Sequence, residues 1–281
     1  MDTTLPSATK VAGALRRTIG PGILLAGAAI GVSHLVQATR AGADYGFALF
    51  WALALACVSK YPFLEFGPRF AAATGQHLVY GYRRLGGYAY WTYLAITIGT
   101  MFIIQAAVTL VTAGLAEHLF GLGWTPVTWS GVLLGTCIVL LVVGRYPALD
   151  MAMKTILSVL AVCTLGAVAI ALAGGAASHA LAATAPTYWT VGGVAFIIAF
   201  MGWMPIPIDA AVWHSIWSRE RARQTGYRPT VKQAKFDYDL GYVAAAIIGV
   251  LFFLLGALIM FGGGQSFPAG SVAFSARLID M

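Results

Sequence analysis

Long apolar stretches separated by short polar segments run along the chain, near residues 19–38, 46–70, 88–116, 126–144, 148–174, 191–217 and 237–262. Each exceeds the roughly 18 apolar residues that mark a membrane-spanning helix. Two of them are interrupted at their centres. The first reads IGPGILLAGAAIGVSHLVQATRAGADYG, which places Gly31, Ser33 and His34 near mid-membrane. The sixth contains Pro205 and Pro207, each of which removes a backbone donor and clashes with the preceding turn. Ile206 lies before a proline and is pushed away from helical geometry. The pattern predicts a break from Met204 to Ile208, with Asp209 opening the second half-helix as a cap at its positive dipole end. Unpaired backbone at that depth is tolerated only when buried in protein or lining a watery cavity. A membrane helix broken at its centre is the usual architecture of a transporter's substrate site.

Spans one and six are five apart, so matching breaks predict two inverted five-helix halves. The expected fold class is an all-α polytopic membrane protein, a LeuT-like inverted repeat with discontinuous helices one and six. The expected organisation is a cytoplasmic N-terminal segment over 1–18 and a transmembrane domain over 19–281. Within that domain the first repeat covers about 19–175 and an incomplete second repeat about 191–281. After span seven the chain reads GGGQSFPAGSVAFSARLIDM and stops while beginning an eighth span, the expectation being a truncated sequence.

Composition agrees with this reading. Apolar residues are 59% of the chain and charged residues 10%, against about 25% charged in a soluble domain. The net charge of +7 does not point to nucleic acid, because the basic residues lie in inter-helix segments and RERAR carries no interleaved aromatics. Lys10, Arg16 and Arg17 precede span one. Basic residues recur between spans two and three (Arg69, Arg83, Arg84), four and five (Arg145, Lys154), and six and seven, Ser218–Phe236 being read as one long basic loop. Opposite loops hold almost none, Arg40 excepted, so the N-terminus is expected in the cytoplasm. Cys57, Cys137 and Cys163 sit in apolar runs without metal-ligand spacing and read as small buried side chains. No cleavable signal is visible.

The residues of span one also carry a resemblance. Gly20-Pro21-Gly22 at its start, and Ala41-Gly42-Ala43 with Tyr45-Gly46 at its end, resemble the first helix of the Nramp (natural resistance-associated macrophage protein) divalent-metal transporters. Ala73-Thr74-Gly75 resembles that family's loop after helix two. Met204-Pro205 and His214-Ser215 resemble its Met-Pro-His and His-Ser stretch, and Asp239 also has a family parallel. The resemblance implies a LeuT-type fold, a metal site between helices one and six, and often proton coupling. The family's Asp-Pro-Gly-Asn motif falls, without gaps, on Gly31, Val32, Ser33 and His34. In span six two alignments stay open. Anchored on Met-Pro, Met204 keeps the thioether position and Ile206 replaces the histidine; anchored on His-Ser, Pro207 replaces the methionine and Asp209 the histidine. The acidic residues of the family's third helix are replaced by a stretch whose strongly polar member is Gln105.

Against this background several side chains are candidates. His34 either faces the cavity as a metal ligand or proton carrier, or hydrogen-bonds the unwound backbone. Asp209 either binds substrate or protons, or only caps the half-helix. Together they offer nitrogen and carboxylate, suited to zinc, iron or manganese. The Met204 thioether and the carbonyls near Ala28 and Met201 would complete a shell. Lys60, midway along span two, either stands as a fixed ammonium where a coupled cation would bind, or pairs with Glu65 or snorkels to the interface. Gly31, Ser33, Gln105, Pro205, Pro207 and His214 are candidate cavity or permeation residues. Arg69, Asp150, Lys154 and Asp239 read as interfacial anchors or ion pairs, and His77, His118 and His179 as loop residues. No nucleophile–base pair, phosphate loop or paired carboxylates are present, so an enzyme is not expected and no cofactor is implied. The expected function is a secondary transporter in a bacterial inner membrane. Lipid and a small solute are its partners, and a divalent metal (Mn, Fe, Zn or Mg) is the leading cargo, moved by alternating access. The alternatives are an organic or anionic solute carrier, or a truncated membrane protein that does not transport.

Overall fold

The computed structural model describes residues 13, 17–174, 184–261 and 272–274. The readings on Lys10, Arg16, His179 and all but three residues of the eighth span lie outside the described residues.

Span one is three pieces: α1 (Pro21–Ala29), a π-helical segment (Ser33–Ala38) and α2 (Thr39–Tyr45). A 3-10 turn (Gly46–Leu49) leads into α3 (Phe50–Thr74), which is span two. A short helix not foreseen from sequence, α4 (Leu78–Leu85), precedes span three, α5 (Gly87–Phe120). Spans four and five follow as α6 (Pro126–Ala173), continuous except at Arg145, whose φ of 51° breaks the helix where the two spans were separated. Span six is α7 (Val191–Trp203) and α8 (Ala210–Thr225). Span seven is α9 (Val231–Leu255), continued by a second π-helical segment (Gly256–Met260).

The long basic loop is corrected. Helix α8 runs on to Thr225 and α9 begins at Val231, leaving only 226–230 between them. The Arg and Glu residues there are good helix formers, with Arg223 bonded to Glu220 one turn away. Thr230 and Gln233 form a reciprocal capping box that starts α9. The cysteine reading is also corrected: Cys137 and Cys163 are exposed on α6 and Cys57 is half-buried. His118 belongs to the last turn of α5 rather than to a loop. Asp150 is buried and takes the ion-pair alternative, bonded to Lys154 at 2.5 Å.

Helix α9 is the organising element. It packs against α1, α2, α3, α6 and the π-helical segment of span one, as expected of a helix apolar on nearly every side. Small residues let it approach span one closely. A side chain on Gly241 would run into the Gly22 carbonyl, and one on Gly22 into the Asp237 carbonyl. Farther along, Gly42 meets Phe253 and Gly256 meets Thr39 in the same way. These contacts are backbone on backbone, so neither side can yield by a rotamer change. Gly241→Ala is therefore expected to destabilise the protein by about 1–3 kcal/mol, read as a lower melting temperature in detergent. An unchanged melting temperature would contradict the close crossing.

Two of the three core clusters part at the level of the helix breaks. One cluster joins Leu25, Ala26 and Ala29 of α1 to Leu64, Ile206, Ala211, Tyr242 and Ala245. The other joins Ala38, Ala41, Ala52 and Ala56 to Phe200, Met204, Phe252 and Phe253. Ile30 and Leu157 border both. Each half of the broken helices thus has its own packing. Lys60 falls on α3 between Ala56 of one cluster and Leu64 of the other.

Candidate solute site between two broken helices

In span one, α1 ends at Ala29, and Ile30 (ψ 78°) turns the chain out of helical geometry. The Ser33 hydroxyl lies 2.5 Å from the Ala29 carbonyl and 2.8 Å from Nδ1 of His34. On the other side of the ring, Nε2 donates to the Ala245 carbonyl of α9 at 3.0 Å. His34 is fully buried. It tethers the break to span seven, a partner outside the unwound segment. A metal at either nitrogen would displace Ser33 or the Ala245 carbonyl. Gly31 and Ala28, by contrast, are exposed, and a side chain added at Gly31 would meet nothing within 4 Å.

In span six the break runs from Met204 to Asp209, as the two prolines require. Pro205 and Pro207 have no N–H to offer the carbonyls of Met201 and Trp203, four residues earlier. Met204 is fully buried, and its methyl group packs with the His34 ring against Gly249 of α9. Pro205 is buried and Pro207 half-buried. Asp209 occupies the N-cap position of α8 but makes no side-chain capping hydrogen bond. Its half-buried carboxylate is close enough to Lys60 to feel that charge. Lys60 does not pair with Glu65. Its ammonium donates to the Gly202 carbonyl at 2.6 Å and the Ile206 carbonyl at 3.3 Å, while Glu65 is engaged by Arg69 and Lys235.

The two broken helices lie side by side. The π-helical segment of span one packs on α7, and α1 packs on α8. This brings Gly31, Ser33, His34, Lys60, Met201, Met204 and Asp209 to one level of the molecule. Two candidates are placed elsewhere. Gln105 is exposed on α5 and bonds Thr109 at 2.9 Å. His214 is buried in α8 without a hydrogen-bond partner, 3.8 Å from Asp237, against the N-terminus of α1. Among the described residues no three His, Cys, Asp or Glu side chains gather at metal-binding distance. An ion here would therefore rely on the Asp209 carboxylate, the Met204 sulfur and backbone carbonyls. Three participants were missed in the sequence. Gly249 had the signal of a glycine inside an apolar span. The Ala245 carbonyl had none, and neither did Tyr93, which lies within electrostatic reach of Asp209.

Gly249→Val is expected to break the His34–Ala245 hydrogen bond. A Cβ alone would stand 2.8 Å from the Met204 methyl and 3.3 Å from His34 Nε2. The methionine end can move, but the ring has little room. Nitrogen-15 NMR of the imidazole would report the change, and an unaltered Nε2 signal would contradict the packing.

Two discontinuous helices side by side, crossed closely by a third, are the arrangement of the LeuT-like fold. The chain belongs to the natural resistance-associated macrophage protein-like (Nramp) family, whose model matches residues 22–276. Members of this family are transporters, not enzymes. An uncharacterized protein of Pasteurella multocida, PM0681, is 33% identical over 269 residues, covering 94% of this chain and 61% of that protein. The crystal structure of the Eremococcus coleocola manganese transporter, bound to an aromatic bis-isothiourea compound, superposes with a TM-score of 0.65. It is 13% identical and covers 98% of this chain and 61% of that one. A mutant of that transporter gives 0.64 at 14% identity, covering 99% and 62%. These likenesses show the fold. The chain spans about three-fifths of the length of the curated relative it matches.

Proposed function

We propose that the chain is a secondary transporter that binds a divalent metal ion between the breaks of spans one and six and moves it by alternating access. The observation that carries this reading is the pairing of the broken helices half against half, with separate packing above and below the break. Such an arrangement lets one bundle rock on the other around a fixed site. Asp209 supplies the anionic ligand, Met204 a soft one, and the Ala28 and Met201 carbonyls the remainder. His34 either joins the shell by releasing a hydrogen bond or holds the break in place. Family membership and the manganese transporters of similar fold support the metal as cargo. The distribution of basic residues supports a cytoplasmic N-terminus in a bacterial inner membrane.

A second reading is favoured by one observation: the Lys60 ammonium at the break supports an organic or anionic solute. Calorimetric titration of the purified protein with manganese, zinc and magnesium separates the two. The metal reading expects saturable manganese binding. Absence of heat with all three ions would overturn it in favour of the second.

A further inference from the structure

At the break of span six, proline leaves the Met201 and Trp203 carbonyls of α7 without helical partners, at the negative end of a half-helix dipole. Such ends bind coupling cations in carriers built from broken helices. Here Lys60 reaches across from α3 and donates to the Gly202 carbonyl in the last turn of α7 at 2.6 Å and to the Ile206 carbonyl within the break at 3.3 Å. Asp209, within electrostatic reach, adds a carboxylate to the same neighbourhood. The surroundings are oxygen-rich, as a hard cation requires. The position on α3 is equally specific, since Lys60 lies where the two core clusters part.

We propose that Lys60 is a tethered cation that permanently fills a carbonyl site at the break of span six, so that this carrier binds its solute without a co-bound alkali ion there. The proposal deepens the reading above and rests on it for the place of the solute. The covalent tether keeps the charge at the break in every conformation, whereas a free ion would enter and leave with the solute. Removing the ammonium while keeping the fold exposes the Gly202 and Ile206 carbonyls beside Asp209 and creates a vacant oxygen site.

The test is the melting temperature of the full chain in detergent, with sodium chloride titrated against choline chloride at constant ionic strength. The wild type is expected to show no sodium-specific response. Lys60→Met is expected to gain a saturable one, a rise of about 2–4 °C at saturating sodium. Lys60→Arg keeps the charge and is expected to stay insensitive. A folded Lys60→Met protein that ignores sodium overturns the proposal, and so does a wild type that saturates with sodium. Where Lys60→Met does not fold, Lys60→Gln carries the same comparison, and the wild-type titration remains decisive against the proposal. Manganese calorimetry is read separately. A sodium response in Lys60→Met with no manganese binding to the wild type keeps the tethered cation and rejects the metal cargo. The converse rejects the tethered cation alone.

Discussion

Asp209→Asn is expected to weaken manganese binding by at least tenfold while leaving the melting temperature unchanged. Asparagine is the same size and an equally good residue for the start of a helix, so α8 keeps its geometry. The substitution removes the one negative charge that the break of span six presents. Asparagine keeps an acceptor oxygen for the neighbouring backbone amides of Asp209 and Ala210, so the exchange costs the fold little and the site much. Tenfold corresponds to about 1.4 kcal/mol, a small demand on an anionic ligand in a partly buried site. Calorimetry on wild type and variant measures both quantities. An unchanged manganese affinity would remove Asp209 from the site.

Asp237→Ala is expected to have the largest effect on stability. The Asp237 carboxylate reaches from α9 to the start of span one, where it accepts from the Gly20 amide at 3.0 Å and the Gly22 amide at 2.7 Å. It is almost wholly buried. Hydrogen bonds to a charged group contribute about 1.5–3 kcal/mol each, and burying an unpaired donor costs a similar amount. Alanine therefore lowers stability by about 3–5 kcal/mol and frees the N-terminus of α1 from span seven. Lys232→Ala, an exposed change on the same helix, is the neutral control. Equal denaturant midpoints for the two variants would contradict the capping role.

The fold was legible wherever the signal was local. Pro205 and Pro207 announce a break because each lacks the donor its helix needs, and the break lies within a residue of the expected one. The separation of spans four and five at Arg145 followed from the polar gap between two apolar runs, and the backbone turns there. The Ser218–Phe236 segment was misread because its polar side chains mask two helix ends. The partners of the site residues depend on what lies opposite, and no spacing reveals that. Lys60 was weighed against Glu65, close to it in sequence, while its actual partners, Gly202 and Ile206, lie at the break of span six, more than 140 residues away. His34 finds a carbonyl on span seven for the same reason. The asymmetry between Asp209 and Asp237 was also hidden. Both are acidic residues in or beside apolar runs, yet Asp237 is held by two amides of another helix, while Asp209 meets only backbone amides of its own half-helix start.

The central claim is that the two breaks open on a common water-filled hollow. Single Gly31→Cys and Gly202→Cys substitutions, in a protein whose three cysteines are replaced by serine or alanine, test it through a charged, membrane-impermeant thiol reagent. Neither glycine has a neighbour within 4 Å of an added side chain, so both substitutions are accommodated. Both positions are expected to label, and manganese to slow the labelling, while Ile103→Cys on the exposed apolar face of α5 stays unmodified. Labelling at Gly31 and Gly202 no faster than at Ile103 would show that the breaks face lipid, and the carrier assignment would not stand.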